Sequence, residues 1–168
     1  MVKVAATVTS SIAAPREPFY AWLVSGVFFD QLDTILPDSF GSPGVVKTTD
    51  TSGPWDTPGS HRTVYLSDGN SAREEVTDVV TPDYFAYAVT EFTNPLIRRL
   101  VKRATGQWWF TDDSTGTNAK WVYTFEALSI FTSPLLLPIV KILWKRSMTA
   151  AMKIIKERAE NEVAGGSR

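Results

Sequence analysis

The chain contains no cysteine and only one histidine, His61, among its 168 residues. The missing cysteine excludes disulfides, thiolate catalysis and cysteine-ligated zinc or iron–sulfur sites. A lone histidine excludes both a metal site built from several histidines and a mechanism that needs a histidine pair. We therefore expect no metal and no cofactor, and any chemistry must come from carboxylates, tyrosines, arginines or the shape of a cavity.

The sequence also lacks a basic excess and a long hydrophobic run. Its formal net charge of −1 argues against nucleic-acid binding, which needs a basic face to displace condensed counterions. The most apolar stretch, residues 130–144, is interrupted by polar residues and two prolines, so it is too broken to span a bilayer. The N-terminus has no continuous apolar core and is predicted to be a strand, not a signal peptide. We expect a cytoplasmic protein.

Aromatic residues are abundant. They make up 12% of the chain and include six tryptophans, against 43% hydrophobic and 21% charged residues overall. This composition is globular, and the length fits one domain over residues 1–168, with residues 165–168 expected to be a disordered tail. The aromatic excess indicates a densely filled core, the wall of a pocket for an apolar ligand, or both.

The periodicity of apolar residues predicts an α+β protein. Predicted strands occupy residues 3–12, 45–49, 61–67, 71–80, 84–92, 105–111 and 117–127. Two short helices follow the first strand, and residues 94–103 are predicted to form a short amphipathic helix. A long amphipathic helix is predicted from about Pro134 or Pro138 to Asn161. It is the one predicted element long enough to cover the apolar face of an antiparallel sheet.

Four parts of the sequence carry a resemblance. They are Ile-Ala-Ala-Pro-Arg-Glu at 12–17, Gly-Ser-His-Arg-Thr-Val-Tyr-Leu-Ser-Asp-Gly at 59–69, the last strand pair with Gly-Gln-Trp-Trp-Phe at 106–110, Gly-Thr at 116–117 and Trp-Val-Tyr-Thr-Phe at 121–125, and the long terminal helix. Together they resemble the START-like, helix-grip superfamily (SRPBCC), in its polyketide cyclase/dehydrase and lipid-transport branch. The resemblance implies a curved antiparallel sheet wrapped around the C-terminal helix and enclosing a deep hydrophobic cavity.

The dipeptide Asp68-Gly69 predicts a two-residue type I′ hairpin turn. In that register Arg62 lies opposite Glu75 on the neighbouring strand. The resemblance places the Arg62 face toward the cavity, so we predict an Arg62–Glu75 pair on the cavity wall. The pair is either a polar anchor for a ligand or an ion pair that only satisfies itself. A bulge at the turn would shift this register by one residue.

Strand alternation and the helix's apolar stripe together define a predicted site. The predicted ligand-binding residues are Arg62, Val64, Glu75, Tyr87, Trp108, Trp121, Tyr123, Leu143 and Ser147. If a reaction takes place, Glu75 or Tyr87 is the candidate acid or base and Arg62 the candidate for stabilising an enolate. His61 is predicted to lie on the outer face, where a surface role is favoured over a catalytic one.

Three functions remain open at this stage. The first is a binding module for an apolar small molecule, such as a lipid or a polyketide-like compound. The second is a polyketide cyclase or dehydratase, and the third is a lipid carrier that docks on membranes through the basic segment at 96–103. We favour interpreting that segment as a solvated lid over the pocket. No protein partner is indicated.

Overall fold

The computed structural model describes residues 1–39 and 41–165, so Gly166 to Arg168 of the predicted tail lie outside the described residues. Seven strands form one antiparallel sheet in the order β1-β7-β6-β5-β4-β3-β2. The strands are β1 (Lys3–Ile12), β2 (Val45–Thr49), β3 (His61–Leu66), β4 (Ser71–Val80), β5 (Tyr84–Thr90), β6 (Val101–Asp112) and β7 (Thr117–Ala127). The predicted antiparallel pairing of the strands between His61 and Ala127 is confirmed.

Helical segments connect β1 to β2 and end the chain. The first group is α1 (Arg16–Trp22), a π-helical segment (Leu23–Val27), α2 (Phe28–Asp30) and a 3-10 turn (Leu32–Thr34). A single helical turn, α3 (Ile97–Leu100), lies between β5 and β6. The second group follows β7 and comprises α4 (Ser133–Pro138), a π-helical segment (Ile139–Trp144) and α5 (Lys145–Glu162). The long terminal helix is therefore confirmed. No helix among the described residues is long and apolar enough to cross a membrane.

The core lies between the sheet and the terminal helix. Helix α5 buries one stripe, at Met148, Ala151, Ile155 and Ala159, at the spacing of one helix face. Seven aromatic side chains of β5, β6 and β7 are buried on the face of the sheet that the helix covers: Phe85, Tyr87, Trp108, Phe110, Trp121, Tyr123 and Phe125. The closest of these ring pairs joins Trp108 and Trp121, whose centroids are 4.8 Å apart in near-parallel planes.

The segment at 94–103 is only partly helical, which corrects the sequence prediction. Helix α3 ends at Leu100, and β6 begins at Val101, four residues before the predicted start of that strand. Val101 and Ala104 are buried while Lys102 and Arg103 between them are exposed. A register shift against β7 between Val101 and Arg103 accommodates two exposed residues in a row. The basic segment is thus one helical turn followed by a strand.

The β3–β4 hairpin has a register that differs by one residue from the predicted one. The Leu66 N–H donates to the Asn70 carbonyl at 2.8 Å, so the loop comprises the residues from Ser67 to Gly69. Gly69 has φ of +83°, the left-handed residue of a three-residue hairpin loop, and not half of a two-residue turn. Arg62 therefore lies opposite Glu74. The predicted Arg62–Glu75 pair is wrong.

Candidate ligand-binding site

A cavity of about 270 Å³ lies between the sheet and the π-helical part of the terminal helix. The sheet side of its wall is formed by Val64, Ala72, Glu74, Tyr87, Val89, Trp121, Tyr123 and Phe125. The helix side is formed by Ile139, Leu143, Trp144 and Ser147, and the segments around Leu36, Pro43 and Leu96 surround its mouth. Among the described lining residues only Asp68 and Glu74 are charged. Asp68 is exposed, so Glu74 is the one buried charge in contact with the cavity.

Arg62 and Glu74 form a buried ion pair in the β3–β4 hairpin. Their residues are 1% and 9% exposed. Arg62 Nε and Nη2 both donate to Glu74 Oε2, at 2.9 and 2.7 Å, and Nη1 donates to the backbone carbonyl of Phe28. The guanidinium carbon lies 3.7 Å from the centroid of the buried Trp55 ring. All three nitrogens of the Arg62 guanidinium thus donate to protein groups.

The two Glu74 oxygens have different surroundings. Oε2 accepts both bonds from Arg62. No donor among the described residues is bonded to Oε1, although the side chain is only 11% exposed. Because a carboxylate can accept about four hydrogen bonds, Oε1 has acceptor capacity that a ligand hydroxyl could use. Arg62 supplies the positive charge that makes a buried carboxylate tolerable at this position.

Tyr87 and Tyr123 supply neutral hydroxyl groups at the same wall. Burial raises the pKa of Tyr87 far above its ordinary value, and the negative charge of Glu74 raises it further. Burial also raises the pKa of Tyr123, with smaller contributions from Tyr87 and Glu74. Both phenols stay protonated at any ordinary pH. At neutral pH each can donate a hydrogen bond to a ligand, but neither is suited to act as a base.

The position of Tyr87 depends on Gly106 of the neighbouring strand, which is its register partner. The Tyr87 ring lies over the Gly106 backbone, and a Cβ at position 106 would overlap the ring carbons and the hydroxyl. A glycine inside a strand commonly marks such a close approach. Any larger residue here would displace the Tyr87 ring.

Two tryptophans at the cavity carry indole N–H groups without an acceptor. Nε1 of Trp121 and of Trp144 is buried, and no described residue accepts a hydrogen bond from either atom. The indoles of Trp108 and Trp121 approach the Tyr87 hydroxyl closely enough to offset part of the rise in its pKa. Neither indole N–H reaches normal hydrogen-bond geometry there. Unpaired buried donors are unfavourable, so an oxygen-bearing ligand would gain from meeting them.

Six of the predicted site residues line the cavity. They are Val64, Tyr87, Trp121, Tyr123, Leu143 and Ser147. Arg62 and Trp108 are buried behind that wall, where Arg62 holds Glu74 and Trp108 stacks on Trp121. Glu75 lies on the outer face with its side chain 46% exposed, 3.6 Å from Arg73. Arg62 and Glu75 are therefore not placed to contact a molecule in the cavity.

Sequence reasoning missed three residues that shape the site: Glu74, Gly106 and Trp55. Signals for them exist. A glycine between Ala104 and Trp108 on the inward face of β6 is one, and a tryptophan inside the Pro/Gly/Ser-rich stretch at 51–60 is another. His61 lies away from the cavity, half-buried, with Nδ1 3.2 Å from Ser52 Oγ. Its predicted position outside the cavity agrees with this geometry.

The fold is shared with several solved structures. Norcoclaurine synthase from Thalictrum flavum, in complex with dopamine and hydroxybenzaldehyde, is 13% identical with a TM-score of 0.67, over 96% of this chain and 89% of that one. Ginseng major latex-like protein 151 from Panax ginseng is 15% identical with a TM-score of 0.67, over 94% and 97%. Protein Ms6760 from Mycobacterium smegmatis is 19% identical with a TM-score of 0.62, over 91% and 88%. At these identities the likeness shows the helix-grip fold alone.

At the level of sequence, no curated protein matches the chain. A family model described as polyketide cyclase / dehydrase and lipid transport matches residues 1–160. That match spans nearly the whole chain and agrees in extent with the helix-grip fold. The chain belongs to the polyketide cyclase/dehydrase and lipid transport family.

Proposed function

We propose that this protein binds an apolar small molecule, lipid-like or polyketide-like, in the cavity between the sheet and the terminal helix. A hydroxyl or similar donor on the ligand hydrogen-bonds to Glu74. The observation that carries the proposal is a buried carboxylate in a mostly apolar cavity, with one oxygen fixed by Arg62 and the other without a described donor.

The cavity limits the size of the ligand. A volume of about 270 Å³ lies just below the range of roughly 300–1,000 Å³ that is usual for small-molecule sites. A compact ring system fits this volume, and a longer ligand would extend through the mouth. The complex of norcoclaurine synthase with dopamine and hydroxybenzaldehyde supports the size class, because both are small aromatic molecules. Apolar contact supplies most of the affinity, and the polar groups fix the orientation.

A cyclase or dehydratase activity is the second candidate, and one observation favours it. Glu74 is a carboxylate in a desolvated cavity whose charge is felt by the neutral Tyr87 hydroxyl. Such a pair can act as a base and a hydrogen-bond donor on one substrate. In this function Glu74 replaces Glu75 as the candidate base. Arg62 acts only by holding Glu74, because it does not reach the cavity.

Filling the cavity tests the binding function. Ser147 lies on the helix side of the wall, so Ser147→Leu would occupy part of the cavity. We expect the wild-type protein to take up an apolar fluorescent dye and the variant to bind it at least about tenfold more weakly. Thr149→Leu, on the exposed face of the same helix, should bind as the wild type does. Equal dye affinity in all three proteins would contradict the proposal, as would native mass spectra that never show an apolar adduct.

A further inference from the structure

Several large apolar side chains are exposed beside the cavity mouth. Phe131, Leu135 and Ile130 are 84%, 63% and 62% exposed. Leu96 and Leu128 are 57% and 50% exposed. We call these five residues the apolar patch. Contiguous exposed apolar surface is uncommon in soluble monomers unless it contacts something.

Hydrogen bonds fix the loop at 128–132, which contains three residues of the apolar patch. The Leu128 N–H donates to the Leu100 carbonyl at 2.9 Å, which fixes the start of the loop at 128–132 to the end of α3. Within that loop the Thr132 hydroxyl donates to the Ser129 carbonyl at 2.9 Å, and the Ser133 hydroxyl donates to the Ile130 carbonyl at 2.8 Å. Ile130 and Phe131 therefore lie in a hydrogen-bonded turn between β7 and α4.

The two sequence segments that contain the apolar patch carry basic residues and no acidic ones. The segments at 92–111 and 127–156, which contain the patch, hold nine Lys or Arg residues and no Asp or Glu, in a chain with a net charge of −1. Arg98 and Arg99 of α3 are exposed, and neither pairs with a carboxylate among the described residues. Lys102 and Arg103 are 3.9 and 3.8 Å from Glu126, the nearest acidic side chain to either. This surface is complementary to an anionic one.

The apolar patch is continuous with the cavity. Leu96 belongs both to the patch and to the lining of the cavity mouth, where Ile97 follows it. Ile139, one helical turn after Leu135, lines the cavity from the helix side. Leu96 is therefore the residue that the apolar patch and the cavity lining share.

We propose that the apolar patch docks on an anionic membrane surface, with Ile130, Phe131 and Leu135 inserted at the interface. Arg98 and Arg99 lie against the acidic headgroups. A short apolar turn and a few cations give weak, reversible and salt-sensitive attachment. The docked orientation turns the cavity mouth toward the bilayer. Membrane docking is a further function beside ligand binding, and it does not depend on the identity of the ligand.

Vesicle sedimentation tests the docking surface. With the full chain and vesicles of 70% phosphatidylcholine and 30% phosphatidylserine, we expect binding that weakens at least about fivefold between 50 and 300 mM salt. Pure phosphatidylcholine vesicles should bind at least fivefold less. Phe131→Ser should lower binding to the anionic vesicles about tenfold, and Arg98→Ser/Arg99→Ser should remove most of the salt dependence. Val80→Ser, at an exposed apolar position on β4, is the matched control and should bind as the wild type does.

Three results would overturn the proposal. The first is that the wild-type chain does not bind to anionic vesicles. The second is that Phe131→Ser and Val80→Ser lose vesicle binding equally. The third is that the wild type self-associates and Phe131→Ser abolishes this, which would identify the patch as an interface between two copies. Dye uptake from solution separates this proposal from the ligand-binding function. Phe131→Ser should leave dye uptake unchanged, whereas Ser147→Leu should reduce it.

Discussion

The two ends of the same sheet face are filled in different ways. At one end, rings from α1 and α2 meet rings from the strands, and Phe19, Tyr20 and Phe28 make edge-to-face contacts with Phe110 and Phe85. At the other end the sheet is covered by the π-helical segment and the start of α5, where the cavity remains. Where α1 and α2 bring Phe19, Tyr20 and Phe28 onto the sheet the core closes. The end covered by the terminal helix, whose wall includes Ser147 and Glu74, stays open.

The polar groups follow the same division. The aromatic end consists of ring-on-ring contacts, which contribute about 0.5–1.5 kcal/mol each beyond the burial of their area. The open end contains the Arg62–Glu74 pair, two buried phenols and indole N–H groups without acceptors. The first region is organised for stability. The second retains polar groups that a ligand could satisfy, which is the arrangement expected of a binding site.

The largest effect is expected from breaking the ion pair at the open end. Arg62→Ala leaves the Glu74 carboxylate buried without its partner, so we expect a loss of about 3–5 kcal/mol in the free energy of unfolding. Urea denaturation followed by circular dichroism measures this loss. Arg73→Ala, on the exposed side of the same hairpin, should change stability by less than about 0.5 kcal/mol. The hairpin register would be in doubt if Arg73→Ala proved the more damaging change.

An intermediate effect is expected at the boundary between the two ends. In Gly106→Ala the new methyl group overlaps the Tyr87 ring, so we expect a loss of about 1–3 kcal/mol together with altered dye binding. Gly26→Ala is the control, because nothing lies within 4 Å of the added Cβ there. That helical position should gain stability slightly or not change. Equal denaturation midpoints for the two variants would show that Tyr87 does not lie over Gly106.

The smallest effect is expected from the buried phenols and appears only in alkali. The pKa values of Tyr87 and Tyr123 are raised in the folded state, whereas an unfolded tyrosine titrates near about 10. Their contribution to stability is therefore complete below pH 10 and is lost as the pH rises above 10. Denaturation at pH 8 and pH 11 measures this loss. Tyr87→Phe/Tyr123→Phe should lose less stability between the two pH values than the wild type, and an equal loss would contradict the burial of the hydroxyls.

Most of the fold could be predicted from the sequence because alternation and helical periodicity are strong in it. The bounds of β1, β2, β4 and β7 agree with the predicted strands. The hairpin register could not be predicted from its turn, because Asp68-Gly69 suits both a two-residue turn and the last two positions of a three-residue loop. The alternation of β4 contained the answer, since Ala72 and Val76 are apolar and share a face with Glu74.

The site was less predictable than the fold. Four lining residues follow from strand alternation and two from the periodicity of the terminal helix. The polar end depends on one register step, which exchanged Glu74 for Glu75. The contact of Tyr87 with Gly106 is set by strand pairing, and the stacking of Trp55 on Arg62 by the path of a loop. Neither follows from local pattern. The apolar run at 130–144 overlaps the predicted terminal helix, and the residues before Ser133 form a hydrogen-bonded turn that exposes Phe131.

The central claim is that Glu74 accepts a hydrogen bond from a ligand in the cavity. Its most direct test compares two ligands of similar shape, 2-naphthol and 2-methylnaphthalene, because the first has a hydroxyl group where the second has a methyl group. Calorimetric titration of the wild type should show tighter binding of 2-naphthol by at least about tenfold, because Glu74 accepts its hydrogen bond. In Arg62→Met/Glu74→Gln, which removes both charges together and so avoids an unpaired one, that preference should fall to within about twofold. An undiminished preference in the double variant would contradict the role of Glu74.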